Sequence, residues 1–201
     1  MLPNLLPYTS LGGIQAGVDE AGRGCLAGPV VAAAVILPPD FYHPHLNDSK
    51  QLSRKKRDAL RLVIEKESLA WAIGICTPDE IDSLNILWAS VAAMHKALDG
   101  IALHFDAIAV DGNKFKPYKM VPYTTEVKGD GRFLHIAAAS VLAKTHRDEI
   151  MENLDMQFPG YGWKDNAGYP TIAHRNAIRA LGITPHHRKS FRLLPEQLSL
   201  F

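Results

Sequence analysis

The segment GVDEAGRGCLAGPVVAAAV, residues 17–35, contains parts of two apolar runs on either side of a glycine-rich turn. The first run begins at Ile14 and ends at Asp19, and the second extends from Val30 to Leu37. Short runs rich in valine, isoleucine and alanine are typical of buried strands, and glycine between them favours a reversal of the chain. The segment therefore predicts two neighbouring strands joined by the turn GRGCLAGP.

Helical and extended patterns alternate along the rest of the chain. Further strands are predicted for residues 69–76, 107–110 and 121–127. Helices are predicted for residues 53–66, 77–98, 133–154 and 171–181. This order indicates a mixed α/β layer architecture with a small helical C-terminal extension. In such sheets, polar groups at the ends of strands form the functional site.

Composition limits the class of protein. Of 201 residues, 47% are hydrophobic, which suits one domain with a sizeable core and excludes a mainly disordered chain. Two cysteines, Cys25 and Cys76, cannot form a disulfide framework and suit a reducing compartment. The N-terminal segment has Pro3, Pro7 and no basic residue before Arg23, unlike a signal peptide, and no apolar stretch is long enough to span a membrane. We therefore expect a cytoplasmic protein without membrane contacts.

Four acidic residues stand where hydrophobic patterning should discourage them. Each is predicted to lie where a strand meets a loop: Asp19, Glu20, Asp111 and Asp130. Any one of them alone is well explained as a turn former, because aspartate is common in turns. Adjacent strand residues point to opposite faces, so Asp19 and Glu20 can share a site only if the chain turns between or just after them. Ala21 and Gly22 allow that turn.

Four carboxylates at one edge of a sheet would repel one another unless cations lie between them. Hard oxygen ligands favour Mg²⁺ or Mn²⁺, whereas the paired histidines at 43/45 and 186/187 have no cysteines at the spacing of a zinc site. Two divalent ions can activate water and stabilise the leaving oxygen of a phosphodiester. We therefore expect a two-metal hydrolytic site and no organic cofactor.

The residues after these acids suit substrate contact. The glycines of Gly22-Arg23-Gly24 let the main chain approach a ligand closely, and Arg23 supplies a forked cation. Alone, this tripeptide is a flexible turn. Its attachment to Asp19-Glu20, with Gly28-Pro29 following, makes the combination specific.

The whole segment 17–35 strongly resembles the signature of bacterial type 2 ribonuclease H, the ribonuclease HII family. Other family motifs follow in order over roughly residues 14–192: DSK at 48–50, VDGN at 110–113, VKGDG at 127–131, IAAASVLAKTHRD at 136–148, GYPT at 168–171 and HHRKSF at 186–191. The resemblance implies a ribonuclease H-like mixed sheet flanked by helices. It implies a catalytic core over residues 12–158, a C-terminal segment over 159–195 that completes the substrate site, and a tail over 196–201.

The activity implied is endonucleolytic hydrolysis of the RNA strand of RNA–DNA hybrids, including single ribonucleotides embedded in duplex DNA, with 3′-hydroxyl and 5′-phosphate products. The family's four metal-binding catalytic acids are matched by Asp19, Glu20, Asp111 and Asp130. Its backbone contacts to the 2′-hydroxyl and the scissile phosphate are matched by Gly22, Arg23 and Gly24. The 2′-hydroxyl distinguishes RNA from DNA at one nucleotide, so a close main-chain approach suits its recognition.

Tyr169 matches the family tyrosine that stacks on the deoxyribose following the ribonucleotide. Without that resemblance, a half-buried core tyrosine is its main alternative. Asn166 and Ala167 depart from the histidine and lysine that are frequent in this loop. The departure puts a phosphate contact of the loop in doubt, but not the role of Tyr169.

The formal net charge is only +1, because 22 lysines and arginines are balanced by 21 aspartates and glutamates. The net charge therefore does not report the number of basic residues available to bind phosphate. If metal holds four of the acids, 17 anions remain and the balance becomes +5. Most charge runs are solvated faces, including the one on the helix at 53–66. Lys50, Arg188 and Lys189 are nevertheless predicted to contact phosphates, which position a duplex, so binding should weaken with salt.

The chain ends in QLSLF, residues 197–201, which looks like the short peptide by which bacterial polymerases and repair proteins dock on the sliding clamp. An end with two large apolar residues either packs back on its own domain or anchors in a partner's pocket. We favour clamp docking, through Gln197, Leu198, Leu200 and Phe201.

Two other classes of protein share parts of this pattern. Type 3 ribonuclease H has a related fold, but it lacks the Gly-Arg-Gly element and usually carries an extra N-terminal domain. A non-catalytic nucleic-acid or clamp adaptor would keep the fold without turnover. The intact set of four acids argues against an adaptor.

Overall fold

The computed structural model describes residues 5–195. Its strands are β1 (Gln15–Ala21), β2 (Val30–Ile36), β3 (Ala70–Cys76), β4 (Ala107–Asp111) and β5 (Tyr123–Glu126). Its helices are α1 (Arg54–Glu67), α2 (Pro78–Leu84), α3 (Ile86–Asp99), α4 (Leu134–Gln157), α5 (Trp163–Asn166) and α6 (Ile172–Leu181). Two short 3₁₀ turns cover Ser49–Gln51 and Gly129–Gly131.

The strands form one mixed sheet in the order β3-β2-β1-β4-β5. Strands β1, β2 and β3 pair antiparallel, with Asp19 opposite Ala33, whereas β1, β4 and β5 run parallel. The predicted mixed sheet flanked by helices is confirmed. Because the carboxyl ends of parallel strands meet at one edge, β1 and β4 bring Asp19 and Asp111 to the same edge of the sheet.

Helices cover both faces of this sheet. Helix α4 packs on β1 and β2, and a Cβ atom at Gly17 of β1 would lie only 2.4 Å from the carbonyl carbon of His135. Helix α3 packs on the other face, where a Cβ at Gly74 would lie 2.0 Å from the carbonyl oxygen of Ala93. Glycine at these positions therefore permits close contact between sheet and helices. Strand β2, entirely apolar and entirely buried, lies between the two layers.

Two local predictions needed correction, and the helix over 77–98, for which the sequence left both a continuous and a broken form open, is broken. Strand β1 continues to Ala21, so Asp19 lies within the strand and not at its end. The helix predicted for 77–98 is broken at Asn85, whose side chain accepts hydrogen bonds from the amides of Leu87 and Trp88 and so caps α3. The loop after Pro159 contains the helical turn α5, which the glycine-rich sequence concealed.

The C-terminal part of the described chain packs on the turn between β1 and β2. Leu26 and Ala27 from that turn belong to one apolar cluster with Met151 of α4, Trp163 of α5 and Ile178 of α6. Four backbone hydrogen bonds or bridges join the same regions, among them Leu26 N–H to Gly168 O and Gly28 N–H to His186 O. The C-terminal segment therefore packs against the turn between β1 and β2 and fixes its position. Within residues 5–195, no helix is both long enough and apolar enough to cross a membrane.

Candidate active site

An open cavity of about 410 Å³ lies at the carboxyl edge of β1 and β4. Its walls include most of the residues that the sequence singled out: Asp19, Glu20, Asp111, Gly22, Arg23, Gly24, Lys50 and Tyr169. These residues come from β1, β4, a 3₁₀ turn and the loop before α6, and the fold brings them together. The expected convergence of chemistry at one strand edge is thus a feature of the structure.

Asp19 is the most buried of the acids that line the cavity, with 4% of its surface exposed. Ser140 of α4 lies in the wall of the same cavity. Burial, followed by the nearby charges of Glu20 and Asp111, raises the pKa of Asp19 well above its usual value. A buried carboxylate of this kind is stabilised in its charged form by a cation.

Glu20 follows Asp19 along β1 and carries the second carboxylate. Its Oε1 atom lies 3.2 Å from Nη1 of Arg23. Burial raises the pKa of Glu20, Arg23 opposes that change, and Asp111 adds to it. The strand ends one residue later, and Gly22 has a φ of +99°, so the expected turn begins directly after the acidic pair.

Asp111 and Asp130 are joined through the backbone. Oδ1 of Asp111 accepts a 2.8 Å hydrogen bond from the amide of Gly129 and a 3.4 Å bond from that of Asp130. These bonds hold the 3₁₀ turn that contains Asp130 against the end of β4. The turn begins three residues after the last residue of β5. Asp130 is 5% exposed, and burial, together with Asp111 and Asp48, raises its pKa to about 6.

Lys50 supplies a positive charge among these acids. Its Nζ atom lies 3.6 Å from Oδ2 of Asp130 and 4.0 Å from Oδ1 of Asp48. Asp48 also caps the 3₁₀ turn that carries Lys50, by accepting from the Lys50 amide. Burial lowers the pKa of Lys50, but the charges of Asp19 and Asp130 outweigh it, so the net change is upward.

The carboxylates do not form a closed coordination shell. Among residues 5–195, no three acidic, imidazole or thiol side chains are arranged so that they could hold a metal ion as they stand. Asp19, Glu20 and Asp111 nevertheless line one cavity, and Asp130 lies behind it against Asp111 and Lys50. Burial and mutual repulsion both disfavour the charged forms of Asp19 and Asp130. Their oxygen donors fit Mg²⁺ or Mn²⁺, and a bound cation would relieve both costs.

The Gly22–Gly24 turn presents unused hydrogen-bond donors to the same cavity. In the described part of the chain, the amide N–H groups of Gly22, Arg23 and Gly24 form no hydrogen bond. The carbonyls of Gly22 and Arg23, in contrast, accept hydrogen bonds from Arg188, at 2.7 and 3.0 Å. A row of free amides beside a cavity is suited to binding an anion or a hydroxyl group.

Tyr169 lies at the cavity rim with 41% of its surface exposed. Lys144 Nζ lies over its ring, 5.9 Å from the ring centroid. The preceding Asn166 shapes the loop: its side chain accepts from the Gly168 amide and donates to Tyr161 O, both at 2.8 Å. An exposed ring face at the rim is available for stacking.

The prediction that Arg188 contacts substrate is wrong. Its guanidinium is fully buried and donates to the carbonyl oxygens of Gly22, Arg23, Gly28 and Pro29. Its neighbour Lys189 is exposed, and its backbone amide donates to Asp82 at 2.9 Å. A cation that is saturated by the protein's own backbone cannot also bind a phosphate.

Three cavity residues were missed by sequence reasoning: Ser49, Ser140 and Lys144. Ser49 and Ser140 share a 2.9 Å hydrogen bond, which joins the 3₁₀ turn of Lys50 to α4. Ser140 and Lys144 are four residues apart on one helix and therefore lie on one face. Ser140 interrupts the apolar first half of α4, and Lys144 follows it at helical spacing, which was the available signal. The predicted docking residues Gln197, Leu198, Leu200 and Phe201 lie outside the described residues.

Comparison with known sequences gives a consistent result. The sequence profile described as Ribonuclease HII matches residues 16–194. A protein named Ribonuclease HII from Parabacteroides distasonis is 61% identical over 196 residues, covering 98% of each chain. One of the same name from Phocaeicola vulgatus is 57% identical over 190 residues, covering 94% of each chain.

Solved structures share the fold. Ribonuclease H2 from Pyrococcus horikoshii OT3 superposes with a TM-score of 0.76 at 24% identity, over 89% of this chain and 94% of that one. RNase HII from the Archaeoglobus fulgidus PCNA:RNase HII complex gives 0.73 at 25% identity, over 94% and 100%. Bst-RNase HIII in complex with Mn²⁺ gives 0.66 at 21% identity, over 92% and 69%. The expected ribonuclease H-like fold is therefore confirmed.

Proposed function

This chain belongs to the ribonuclease HII family and is a ribonuclease H acting on RNA–DNA hybrids, and we propose that it also cuts duplex DNA at single embedded ribonucleotides by two-metal catalysis. The products would carry 3′-hydroxyl and 5′-phosphate ends. Such an activity serves ribonucleotide excision repair. The observation that carries the proposal is the juxtaposition of buried carboxylates with a turn whose free amides face the same cavity.

Asp19, Glu20, Asp111 and Asp130 would hold the divalent ions. The Mn²⁺ complex of Bst-RNase HIII, which shares the fold, supports a divalent metal here. When bound, such ions supply an activated water and charge stabilisation at the leaving oxygen. The carboxylates would have to move closer together, and Lys50 would have to give up its contact with Asp130 or share it.

Recognition of the ribonucleotide is assigned to the Gly22–Gly24 turn. Its three free amides can bind the scissile phosphate and the 2′-hydroxyl without any side chain between. Arg23, exposed and paired with Glu20, can contact phosphate from the solvent side. A deoxyribose would leave one of these donors without its partner, and that loss disfavours DNA.

Tyr169 is assigned to the sugar that follows the ribonucleotide. Its partly exposed side chain lines the same cavity as Asp19, Glu20 and Asp111. The loop that carries it is fixed by Asn166 and by Ala167, whose carbonyl accepts from Arg147. A planar ring packs against deoxyribose, whereas a 2′-hydroxyl at that position would crowd it. This arrangement would favour an RNA-to-DNA junction.

Exposed basic residues would position the duplex. Lys50 in the cavity wall and Lys189 in the C-terminal segment are exposed, whereas Lys144 is half-buried and paired with Asp148 at 2.6 Å. The C-terminal segment 159–195 carries further cations. We assign phosphate contacts to Lys50 and Lys189. Because the substrate is nucleic acid, we place the protein in the cytoplasm.

The test is a substrate panel with matched duplexes: continuous RNA–DNA hybrid, duplex DNA with one ribonucleotide, and all-deoxy duplex, each with Mg²⁺ or Mn²⁺. We expect cleavage of the first two and none of the third. A DNA ligase should reseal the nick at the single ribonucleotide, because ligation requires 3′-hydroxyl and 5′-phosphate ends. Cleavage of the continuous hybrid alone would refute the proposed specificity.

The C-terminal tail is assigned to clamp docking, through Gln197, Leu198, Leu200 and Phe201. The complex of the Archaeoglobus fulgidus relative with PCNA supports an interaction with a replication clamp. Deletion of residues 197–201 should abolish binding to the bacterial clamp, whereas Ser199→Ala, which keeps the four docking residues, should bind normally. Unchanged affinity after the deletion would contradict this assignment.

A further inference from the structure

Two arginines lie in the interior directly beneath the Gly22–Gly24 turn. Arg147 of α4 and Arg188 of the C-terminal segment are both fully buried. Neither guanidinium forms an ion pair with a carboxylate of residues 5–195. A buried charge without a counter-ion is costly, so side chains of this kind usually remain only where their geometry is needed.

Backbone carbonyls occupy both guanidinium groups. Arg188 donates through Nε to Gly28 O at 3.0 Å, through Nη1 to Arg23 O at 3.0 Å and through Nη2 to Gly22 O at 2.7 Å and Pro29 O at 3.2 Å. These bonds turn the carbonyls of the first half of the turn towards the interior. Gly22, Arg23 and Gly24 themselves line the cavity, and their amides form no hydrogen bond within the described chain.

Arg147 holds the same turn from a second direction. Its Nε and Nη2 donate to Pro29 O and Ala27 O, at 2.9 and 3.0 Å. A Cβ atom at Gly22 would lie 2.0 Å from Arg147 Nε, so this arginine passes directly against the glycine. Glycine at position 22 is therefore required both by its φ of +99° and by the buried side chain beneath it.

Arg147 also joins this turn to the loop of Tyr169. Its Nη1 donates to Ala167 O at 2.9 Å, two residues before the tyrosine. One guanidinium thus spans the strand turn and the rim loop, the two segments assigned to the ribonucleotide and to the following sugar. Their spacing is fixed by a rigid planar group, which a flexible lysine could not reproduce.

Asp82 of α2 anchors the segment that carries Arg188. Its carboxylate accepts from the amides of Lys189 and Ser190, at 2.9 and 3.0 Å. Burial lowers the pKa of Arg188 to about 10, which leaves it charged at neutral pH. A fixed positive charge therefore lies behind the turn that would meet the scissile phosphate.

We propose that Arg188 and Arg147 are positioning residues for ribonucleotide recognition, which aim the free amides of the Gly22–Gly24 turn into the cavity by holding its carbonyls and those of residues 27–29 from below. This inference rests on the proposed role of that turn. It also explains why an arginine in the HHRKSF motif is present although it cannot touch substrate.

The experiment compares Arg188→Met and Arg188→Lys with Ile64→Ala, a fully buried position in α1 that serves as a control for general destabilisation. Each change is made in an Asp19→Asn background, so that binding can be measured with Mg²⁺ and without turnover. The readout is the ratio of affinities for a duplex with one ribonucleotide and for the all-deoxy duplex.

Arg188→Met should lower that ratio by about ten- to a hundredfold, because a small displacement of positioned donors has effects of this size. Arg188→Lys should retain part of the preference, and Ile64→Ala should retain all of it. A folded Arg188→Met protein with an unchanged ratio, or an equal loss in Ile64→Ala, would overturn the proposal.

A second measurement does not depend on substrate. Backbone ¹⁵N relaxation at Gly22, Arg23 and Gly24 should show order parameters falling from about 0.85 towards 0.6 in Arg188→Lys and Arg147→Lys, but not in Ile64→Ala. If Arg188→Met does not fold, the lysine variants decide the question. If the protein with all its arginines shows no preference for the duplex with a ribonucleotide, the proposed recognition by the turn is wrong. The relaxation data still test whether the arginines order the turn. Unchanged order parameters in folded lysine variants would refute the positioning role.

Discussion

Lys50 Nζ lies 3.6 Å from Oδ2 of Asp130, so a cation of the protein contacts a carboxylate assigned to metal binding. The lysine side chain is 78% exposed, whereas the Asp130 side chain is 7% exposed. The contact is therefore made at the mouth of the cavity, where a phosphate of the substrate could take over the lysine. Lys50 would then leave Asp130 when substrate and metal bind.

Replacement of this lysine should show its phosphate contact. In Lys50→Gln, duplex affinity should fall several-fold, and the slope of log affinity against log salt should become shallower by about one unit. Lys55→Gln, at an exposed position of α1, should leave the slope unchanged. Filter binding or fluorescence anisotropy at several salt concentrations measures both. An unchanged slope in Lys50→Gln would place the lysine outside the duplex contact.

In the metal-free protein, the contribution of the acidic cluster to stability should fall as pH rises. Burial, together with Asp111 and Asp48, raises the pKa of folded Asp130 to about 6, above its unfolded value near 3.8. The favourable contribution of its protonated form is therefore complete below about pH 4 and is lost as pH rises through about 6. Asp19, whose pKa is also raised, extends the loss to higher pH. Each unit of such a shift corresponds to about 1.4 kcal/mol.

Thermal unfolding in EDTA between pH 4 and pH 8 tests this dependence. At pH 8, Asp130→Asn should unfold at a higher temperature than the unmodified protein, by about 2–4 °C for each kcal/mol gained in the free energy of unfolding. Asp40→Asn, at an exposed loop position, should unfold at the same temperature as the unmodified protein. Saturating Mn²⁺ should raise the midpoint of the unmodified protein at pH 8 and should raise that of Asp130→Asn less. An Asp130→Asn variant that gains no stability relative to the unmodified protein between pH 4 and pH 8 would show that the acids do not repel one another as described.

Removal of the Tyr169 ring should affect junction substrates selectively. Tyr169→Ala should lower cleavage at a single embedded ribonucleotide more than cleavage of a continuous hybrid, because only the former places a deoxyribose against the ring at every productive position. The expected difference is about tenfold, within the energy of one stacking contact. Tyr169→Phe keeps the ring and serves as the control. Equal losses on the two substrates would contradict the stacking role.

The strands, the long helix and the edge at which the acids meet could be predicted from sequence, because apolar runs and their interruptions report burial directly. The position of Asp19 inside β1 could not, since a buried carboxylate breaks the apolar pattern and imitates the end of a strand. The role of Arg188 was misread for a related reason. An arginine in a basic motif is expected to face solvent or to bind phosphate. Only the fold shows that Arg188 donates to four backbone carbonyls.

Ser140 and Lys144 illustrate a different limit. They lie within a helix that the apolar spacing predicted well, and their side chains face the cavity only because α4 packs across β1 and β2. The helix was predictable, but its rotation relative to the sheet was not. Residues of the site that come from a helix face are therefore harder to find than those at strand ends.

The most direct test of the account is cleavage of duplex DNA containing one ribonucleotide, by the unmodified protein and by Asp19→Asn, with Mg²⁺ or Mn²⁺. The substitution removes a buried charge without changing side-chain volume, so the variant should fold with equal or higher stability in EDTA. We expect cleavage at the ribonucleotide by the unmodified protein and a loss of at least about a thousandfold in the variant, with duplex binding retained. Equal cleavage by the two proteins would contradict the central claim that this carboxylate holds the catalytic metal.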